Sequence, residues 1–334
     1  MSYPKEWKSL EEQIALLKSR GLSISNDEKA TEYLERIGYY RLSGYFYAMR
    51  ELSGECIELQ NFKKPKNAKV KKIVMDDFKA GASFENAVDL YIFDKKLRLL
   101  AMDALERIEI SVRADIAYAL GKLNKFAYLE SGCLHEKFCS ELDKKTGLSS
   151  HRTWLSKHAQ LISRSKEEFV KHNREKYGLP LAIWVACEVW DFGTMSTLFG
   201  GMKEREQDEI AQKYGLENGR VFATWLRSLN YLRNVCAHHS RLWNRNIIDQ
   251  PKLPSATQLS WVRLFEHDVH ARARCFLLLF ICNHMVKKIN PNSTWSVQMK
   301  KHLDAFPALS HIGLNLRGMG EPESWRDCWQ IENV

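Results

Sequence analysis

The chain has 334 residues, of which 45% are hydrophobic and 11% aromatic; this composition supplies a large buried core and excludes an intrinsically disordered protein. Its formal net charge of +9 favours an anionic partner such as nucleic acid. The longest apolar run, Cys275 to Cys282, is far shorter than the ~20 residues that a membrane-spanning helix needs, so we expect no membrane association.

Eight cysteines are spread along the chain without a Cys-x-x-Cys pair, which indicates reduced thiols buried as small hydrophobic groups. The nearest approach to a metal site, Cys133-x-His135-x-x-x-Cys139, lacks a second ligand pair at zinc-site spacing. We therefore expect no metal and no cofactor. The first residues contain neither the apolar core nor the cleavage pattern of a secretion signal, so the expected location is cytoplasmic.

Helix signals begin near the N-terminus. Ser9-Leu-Glu-Glu12 is a capping-box pattern that predicts the start of a helix, and Gly21 predicts its end. Ser25-Asn-Asp-Glu28 predicts a second start, followed by Gly38 and Gly44, which indicate close packing or a break in the helix.

Residues 50–82 differ in character, because six lysines lie between Lys63 and Lys72. This composition predicts an exposed loop or hairpin. It serves either as a solvated insertion or as a contact for an RNA backbone.

From residue 83 to about residue 122, apolar side chains recur at helical spacing and predict one long helix. Two pairs of opposite charge lie four residues apart, Asp94–Arg98 and Glu109–Arg113, each worth ~0.3–0.5 kcal/mol on an exposed helix surface. Surface stabilisation is one interpretation. The alternative is that Glu109 or Arg113 reaches a phosphate-binding site.

The same periodicity predicts further helices at about 151–176, 181–200, 203–213, 219–243, 262–289 and 295–304. Strand-like alternation is scarce, and neither GxGxxG nor a GKS/T loop is present. The sequence therefore predicts an all-α helical bundle.

The most informative segment runs from Asn218 to Ile248, where no Asp, Glu or Lys occurs. It contains two adjacent histidines and five arginines: His238, His239, Arg220, Arg227, Arg233, Arg241 and Arg245. Arginine offers bidentate contacts to phosphate, and histidine exchanges a proton near neutral pH. The composition indicates a place where a phosphodiester is held and cut.

On an ideal helix with ~100° per residue, segment 219–243 has one buried stripe and one polar face. The stripe consists of Phe222, Trp225, Leu226, Leu229, Leu232 and Cys236, and the polar face of Arg227, Asn234, His238 and Arg241. Arg233 projects beside the stripe, roughly 140° from His238. Three explanations stay open: a helix distortion near His238, a side chain that curls around from the core edge, or a structural arginine paired with a buried carboxylate.

Arg233-Asn-Val-Cys-Ala-His238 resembles the Arg-x-x-x-x-His motif of HEPN ribonucleases. The block from Leu232 to Arg245 is similar to the bacterial Abi-like abortive-infection family. Further blocks follow the order of that family: Ile37–Tyr45, Leu90–Arg98, Leu105–Arg113, and Pro180–Trp184 followed by Glu188. The short motif alone recurs by chance, whereas the ordered blocks between about residues 9 and 250 are specific.

The resemblance implies a HEPN-like helical bundle with N-terminal and C-terminal helical extensions. The expected segments are 1–82 (N-terminal helical region with the lysine-rich insertion), 83–290 (HEPN-like core) and 291–334 (C-terminal extension). It further implies a metal-independent endoribonuclease in phage defence, through abortive infection or a toxin–antitoxin system. RNA is the implied substrate, a small regulatory RNA is an implied partner of some members, and a homodimer with facing motifs is expected.

In the implied mechanism, His238 withdraws the proton of a ribose 2′-OH and Arg233 stabilises the charge on the phosphate, giving a 2′,3′-cyclic phosphate and a 5′-OH. The leaving oxygen needs another proton donor, either His238 of a second copy or His239. Because His239 projects away from His238, a composite site in a dimer is favoured. The remaining expected roles are orientation by Asn234, RNA-backbone binding by Arg227, Arg241 and Arg245, and support by His239, Glu109 and Arg113.

Two other functions stay open. In the first, the chain is a non-catalytic RNA-binding protein partnered with a small RNA. In the second, it is a helical bundle that modifies, or is modified by, a nucleotide-using partner. The sequence contains no nucleotide-binding half, so that last activity has to be supplied by another protein.

Overall fold

A computed structural model describes residues 6–57 and 70–329. Most of the lysine-rich insertion lies outside the described residues. Helices dominate the described chain, with one two-stranded antiparallel sheet, β1 (Arg50–Ile57) paired with β2 (Val70–Phe78). The predicted helical class is confirmed, and the two strands lie where the sequence predicts a loop or hairpin.

The described residues form two compact units, one from residues 6–57, 70–96 and 302–318, the other from residues 97–301 and 319–329. The three segments expected from the sequence are divided along the chain, whereas the units are grouped by packing in space. The three-segment division therefore stays a prediction.

The first unit contains the strands and the N-terminal helices α1 (Leu10–Ser19), α2 (Asp27–Ile37) and α3 (Tyr39–Phe46), and the start of α4 (Phe84–Gly121). Ser9 and Glu12 form the predicted capping box, with Ser9 N donating to Glu12 Oε2 over 2.7 Å. The second cap is Asn26 rather than Ser25, because Ser25 N donates instead to Glu85 Oε1 at 3.1 Å. Gly38, with φ of 90°, separates α2 from α3.

The second unit contains the rest of α4 and most other helices: α5 (Glu136–Ser140), α6 (Ser150–Arg164), α7 (Glu168–Tyr177), α8 (Ile183–Ala186), α9 (Phe192–Gly201), α10 (Glu204–Lys213), α11 (Gly219–Ala237), α12 (Arg263–Glu266), α13 (Val269–Arg272), α14 (Cys275–Ile289), α15 (Trp295–Asp304) and α16 (Trp325–Trp329). The last residues of α15 belong to the first unit. None of the helices in the described part of the chain combines the length and the hydropathy that a bilayer-spanning segment requires.

Three of the predicted helices are interrupted within their span, because side chains end or restart them by bonding to the backbone. The predicted helix 151–176 breaks at Ser165, which has an extended backbone between α6 and α7. The helix 181–200 is interrupted where Asp191 caps α9 by accepting from Thr194 N at 2.7 Å. Asp268 caps α13 in the same way within 262–289. Such local bonds compete with a continuing helix.

The core of the second unit centres on α14, whose side chains from Cys275 to Val286 are all buried. The C-terminal tryptophans pack near it: Trp329 donates to Ser296 O at 2.9 Å and its own carbonyl accepts from Asn283 Nδ2 at 2.8 Å. Trp295 donates to Leu100 O at 2.7 Å. The polar atoms of these large side chains thus find partners inside the core.

Candidate functional site

The candidate site is built on α11. Asn218 starts this helix, since its side chain accepts from Arg220 N at 2.8 Å. Gly219 permits a close approach of α10, because a Cβ there would lie 2.4 Å from Gln207 Cβ. The predicted apolar stripe is confirmed, as Phe222, Trp225, Leu226, Leu229, Leu232 and Cys236 are all buried.

The helix ends at Ala237, six residues before the predicted end at residue 243. His239 adopts a left-handed backbone with φ of 54°. His239 N donates to Cys236 O and Ser240 N donates to Val235 O, both at 3.0 Å. This is a Schellman turn in which histidine takes the position that glycine usually occupies. Because no glycine follows the apolar pattern, the sequence does not predict that the helix ends at Ala237.

His238 is therefore the C-cap residue of α11, not a residue within it. Its backbone N–H donates to Asn234 O at 3.0 Å, and its side chain is exposed. Asn234 is exposed as well, one turn earlier on the polar face. The helix consequently presents both side chains at its C-terminal end, where solvent and a ligand have access.

Arg233 is half-buried, and its Nη1 lies 3.5 Å from Asn234 Oδ1, a long hydrogen bond. Its guanidinium thus turns from the edge of the apolar stripe to a side chain of the polar face. Within the described residues, Arg233 has no carboxylate at ion-pair distance. Of the three explanations for its divergent projection, the pair with a buried carboxylate is not seen, whereas the end of the helix at Ala237 and the contact with Asn234 fit the other two.

A buried arginine holds the turn that follows His238. Arg98 of α4 is 5% exposed, and its Nη1 donates to Ser240 O at 3.3 Å. In the sequence, Arg98 forms a predicted charge pair along α4 that gives no connection to α11. Its position at the end of the Leu90–Arg98 block was the available signal.

Beyond the turn, the chain runs back along α11 in steps of three residues. Tyr231 donates to Asn246 O at 3.0 Å, and Ser228 donates to Asp249 O. Trp225 Nε1 then donates to Lys252 O at 2.9 Å. This return segment covers one flank of α11. The line of Arg220, Arg227, Asn234 and His238 on the neighbouring flank stays exposed.

The return segment brings Arg245 onto the polar face. Arg245 Nε donates to Tyr231 Oη at 2.9 Å, and the guanidinium lies 5.9 Å from the centre of that ring. Tyr231 precedes Asn234 by one turn. Tyr231 was not among the predicted site residues, although it shares their helical face. Arg241, which follows the turn, is half-buried.

The region around α11 is also part of a match to a known protein family. The model of the family described as Abi-like protein matches residues 32–244, more than half of the chain and all of α11 with its C-terminal turn. The chain belongs to the Abi-like protein family. Neither the curated proteins nor the solved structures give a significant match. Membership in the Abi-like family links the chain to abortive infection and thereby to phage defence.

The Abi-like chain does not bring every predicted arginine to His238. Arg227 lies ten residues before the end of α11, roughly 15 Å along the axis. It lines a cleft of about 490 Å³ together with residues of α5, α9 and α10. Of the predicted RNA-binding arginines, Arg227 thus lies well away from His238, and Arg245 sits against Tyr231, about 9 Å before the end of the helix.

Glu109 and Arg113 of the Abi-like chain form the predicted ion pair, with side chains only 14% and 15% exposed. Arg113 Nη1 also lies 3.9 Å from Glu188 Oε2. Burial, and after it the charge of Glu188, raises the pKa of the neighbouring Cys187 thiol to about 12. The pair is thus a largely buried group rather than a surface one. Its supporting role at the site stays a prediction.

Proposed function

We propose that this Abi-like protein is a metal-independent endoribonuclease of the HEPN type that acts in phage defence, through abortive infection or a toxin–antitoxin system. The observation that carries the proposal is the exposed end of α11, where His238 caps the helix and the Arg233 guanidinium contacts Asn234. A proton acceptor and a permanent cation thus lie five residues apart in the sequence at this end of the helix.

The reaction follows from these two side chains. The imidazole of His238 takes the proton of a ribose 2′-OH, and the 2′-oxygen bonds to the adjacent phosphorus as the bond from phosphorus to the 5′-oxygen breaks. Arg233 stabilises the negative charge on the non-bridging oxygens. The products are a 2′,3′-cyclic phosphate and a 5′-oxygen that must gain a proton.

Asn234 positions both partners in this proposal. Its side-chain oxygen accepts from Arg233 at 3.5 Å, and its backbone carbonyl accepts from His238 N at 3.0 Å. The amide nitrogen of the side chain is then available as a donor to phosphate. Arg245, held against Tyr231, supplies a further cation on the same face.

The proton for the leaving oxygen comes from a second copy of the chain in this account. One imidazole cannot act as base and acid in the same step. His239 is constrained by its left-handed backbone in the turn, so His238 of a facing copy is the better donor. A two-fold dimer with a composite site follows.

RNA incubated with the purified protein in excess EDTA tests the activity. We expect fragments with 2′,3′-cyclic phosphate and 5′-OH ends. His238→Ala and Arg233→Ala each lower the rate roughly 10²–10⁴-fold. His172→Ala and Arg164→Ala, at exposed positions of α7 and α6, serve as controls matched in residue type.

The alternative, a non-catalytic RNA-binding protein partnered with a small RNA, uses the same exposed arginines. It predicts RNA binding in EDTA without new RNA ends. Wild-type protein that binds RNA but leaves it intact refutes the nuclease and supports this alternative. Cleavage that survives in both His238→Ala and Arg233→Ala refutes the site assignment.

A further inference from the structure

A cleft at the N-terminal half of α11 has no role in the chemistry derived above. It measures about 490 Å³ and is walled by α5, the end of α9, the start of α10 and the first two turns of α11. The lining side chains that carry a charge or a ring nitrogen are His135, Lys137, Glu204, Arg220 and Arg227.

The walls of the cleft are fixed by tight packing and internal hydrogen bonds. Gln207 is 4% exposed, and its Nε2 donates to Phe199 O at 2.9 Å and to Met202 O at 3.0 Å. Gly201 leaves room for the Phe138 ring, which would lie 2.4 Å from a Cβ at that position. The cleft is thus part of the folded framework and exists before any ligand binds.

The charge of the cleft suits an anion. It contains three permanent cations and one carboxylate, Glu204, which is paired with Arg220. Within the described residues, neither the Lys137 ammonium nor the Arg227 guanidinium has an ion-pair partner. His135 Nδ1 accepts from Lys137 N at 3.2 Å, so Nε2 is the ring nitrogen left to donate to a ligand.

The cations lie in line with the candidate reactive end. Arg220 and Arg227 are seven residues apart on α11, and Asn234 follows after another seven, so the three project onto one side of the helix. Their spacing of ~10 Å per step is too wide for a single small anion. A chain of phosphates lying along the helix meets each of them in turn.

We propose that this cleft, defined by Lys137, Arg220 and Arg227, is a second RNA-binding site that holds phosphates of the substrate strand away from the linkage that is cut. The inference rests on the proposed function. Roughly 15 Å separates Arg227 from the end of α11, which corresponds to roughly four stacked nucleotides at ~3.4 Å each. The cleft therefore selects RNA that extends at least this far beyond the scissile linkage.

Binding to two RNA lengths tests the cleft, measured in a His238→Ala background so that no RNA is consumed. The long RNA is a single strand of about 20 nucleotides and the short RNA one of about four. We expect Lys137→Ala with Arg227→Ala to weaken binding of the long RNA at least tenfold and to lower the slope of log affinity against log salt by ~1.4. The short RNA loses less than threefold.

Two further variants show whether a loss of RNA binding comes from the cleft, from the lower net charge or from misfolding. Arg164→Ala with Lys166→Ala removes the same two charges from exposed positions near the end of α6, and we expect it to retain long-RNA affinity within threefold. Arg227→Ala alone changes an exposed position and is expected to fold, so it tests the cleft even if the double variant does not fold.

Equal losses in the cleft and control variants, or unchanged long-RNA binding in the cleft variant, overturn the inference. Cleavage by wild-type protein in EDTA decides the proposed function separately. If the cleft variants bind RNA as wild type does while His238-dependent cleavage is intact, only the proposed second site is refuted. If RNA binding depends on the cleft but wild-type protein cuts no RNA, only the proposed nuclease activity is refuted.

Discussion

At the scale of single residues, His239 carries a conformational cost. A side chain with a Cβ in the left-handed region is disfavoured by roughly 1–2 kcal/mol, whereas glycine adopts it freely and loses ~0.4–1 kcal/mol through its more flexible unfolded state. His239 has φ of 54° in the turn after α11. We therefore expect His239→Gly to unfold at an equal or higher urea concentration than wild type.

The same variant tests whether His239 has a structural or a catalytic role. If His239 serves only the turn, His239→Gly retains the cleavage rate within a few-fold. A loss of 10² or more in rate with unchanged stability would instead assign the second proton donor to His239. His239→Val is the opposing control, since a β-branched side chain is least tolerated at positive φ, and we expect it to be less stable than wild type.

Asn234 is predicted to matter for rate and not for stability. It is exposed, so Asn234→Ala changes the free energy of unfolding by less than ~0.5 kcal/mol. Loss of its contact with Arg233 lowers kcat/KM for RNA cleavage, roughly tenfold. Asn234→Asp places a carboxylate beside Arg233 and repels phosphate, and we expect a larger loss. Cleavage equal to wild type in both variants contradicts the positioning role.

At the scale of elements, α4 supports the end of α11 through Arg98. Arg98→Met leaves the Ser240 carbonyl without this donor and is expected to lower the free energy of unfolding by ~1–3 kcal/mol. Arg164→Met is the control, because Arg164 is exposed at the end of α6, where a substitution changes the free energy of unfolding by less than ~0.5 kcal/mol. Equal losses in the two variants would contradict a special role for Arg98.

Two histidines in separate helices make stability sensitive to acid. Burial lowers the pKa of His158 in α6 and of His284 in α14 to about 4. In the unfolded chain each takes up a proton near pH 6.5, so the stability is complete above that pH. It falls as the pH drops from 6.5 towards 4, by at most ~3 kcal/mol for either residue.

Urea unfolding at pH 7 and at pH 4.5 measures this loss. His158 Nδ1 accepts a hydrogen bond from Trp190 Nε1 at 2.9 Å, and the side-chain carbonyl of glutamine can accept it as well. We expect His158→Gln to lose less stability between the two pH values than wild type. An identical pH dependence for the two proteins would show that His158 does not contribute.

Sequence patterns located the helices better than their ends. Capping signals placed α1, and apolar spacing placed α4 and the buried stripe of α11, because both are local properties of the chain. The stop at Ala237 was missed, since a histidine occupies the left-handed position. The breaks at Ser165 and Asp191 depend on side-chain hydrogen bonds that compete with the helix.

In the candidate site too, features local to the sequence were predicted and contacts formed only in the fold were not. His238, Asn234 and Arg245 lie on or against the polar face of α11, as their helical projection or the arginine-rich segment indicated. The direction of the Arg233 side chain depends on a contact that a helical wheel cannot represent. Arg98 and Lys137 come from other elements of the fold, so no spacing along the chain connects them with α11.

At the scale of the whole molecule, the proposed composite site makes activity a property of two copies. Sedimentation of wild-type protein is expected to give a dimer that still cleaves. Mixing wild type with an excess of His238→Ala protein should lower activity below the fraction of wild-type chains, because a mixed pair lacks one of two required imidazoles. A monomer that cleaves at the full rate contradicts the composite site.

In the proposed reaction, His238 withdraws the proton that starts RNA cleavage. Sequencing RNA ends in cells that express wild-type protein, beside cells with equal amounts of the His238→Ala protein, tests this role of His238. We expect new 2′,3′-cyclic phosphate and 5′-OH ends with the wild type, and their absence with the variant. The same new ends in both kinds of cell would contradict it.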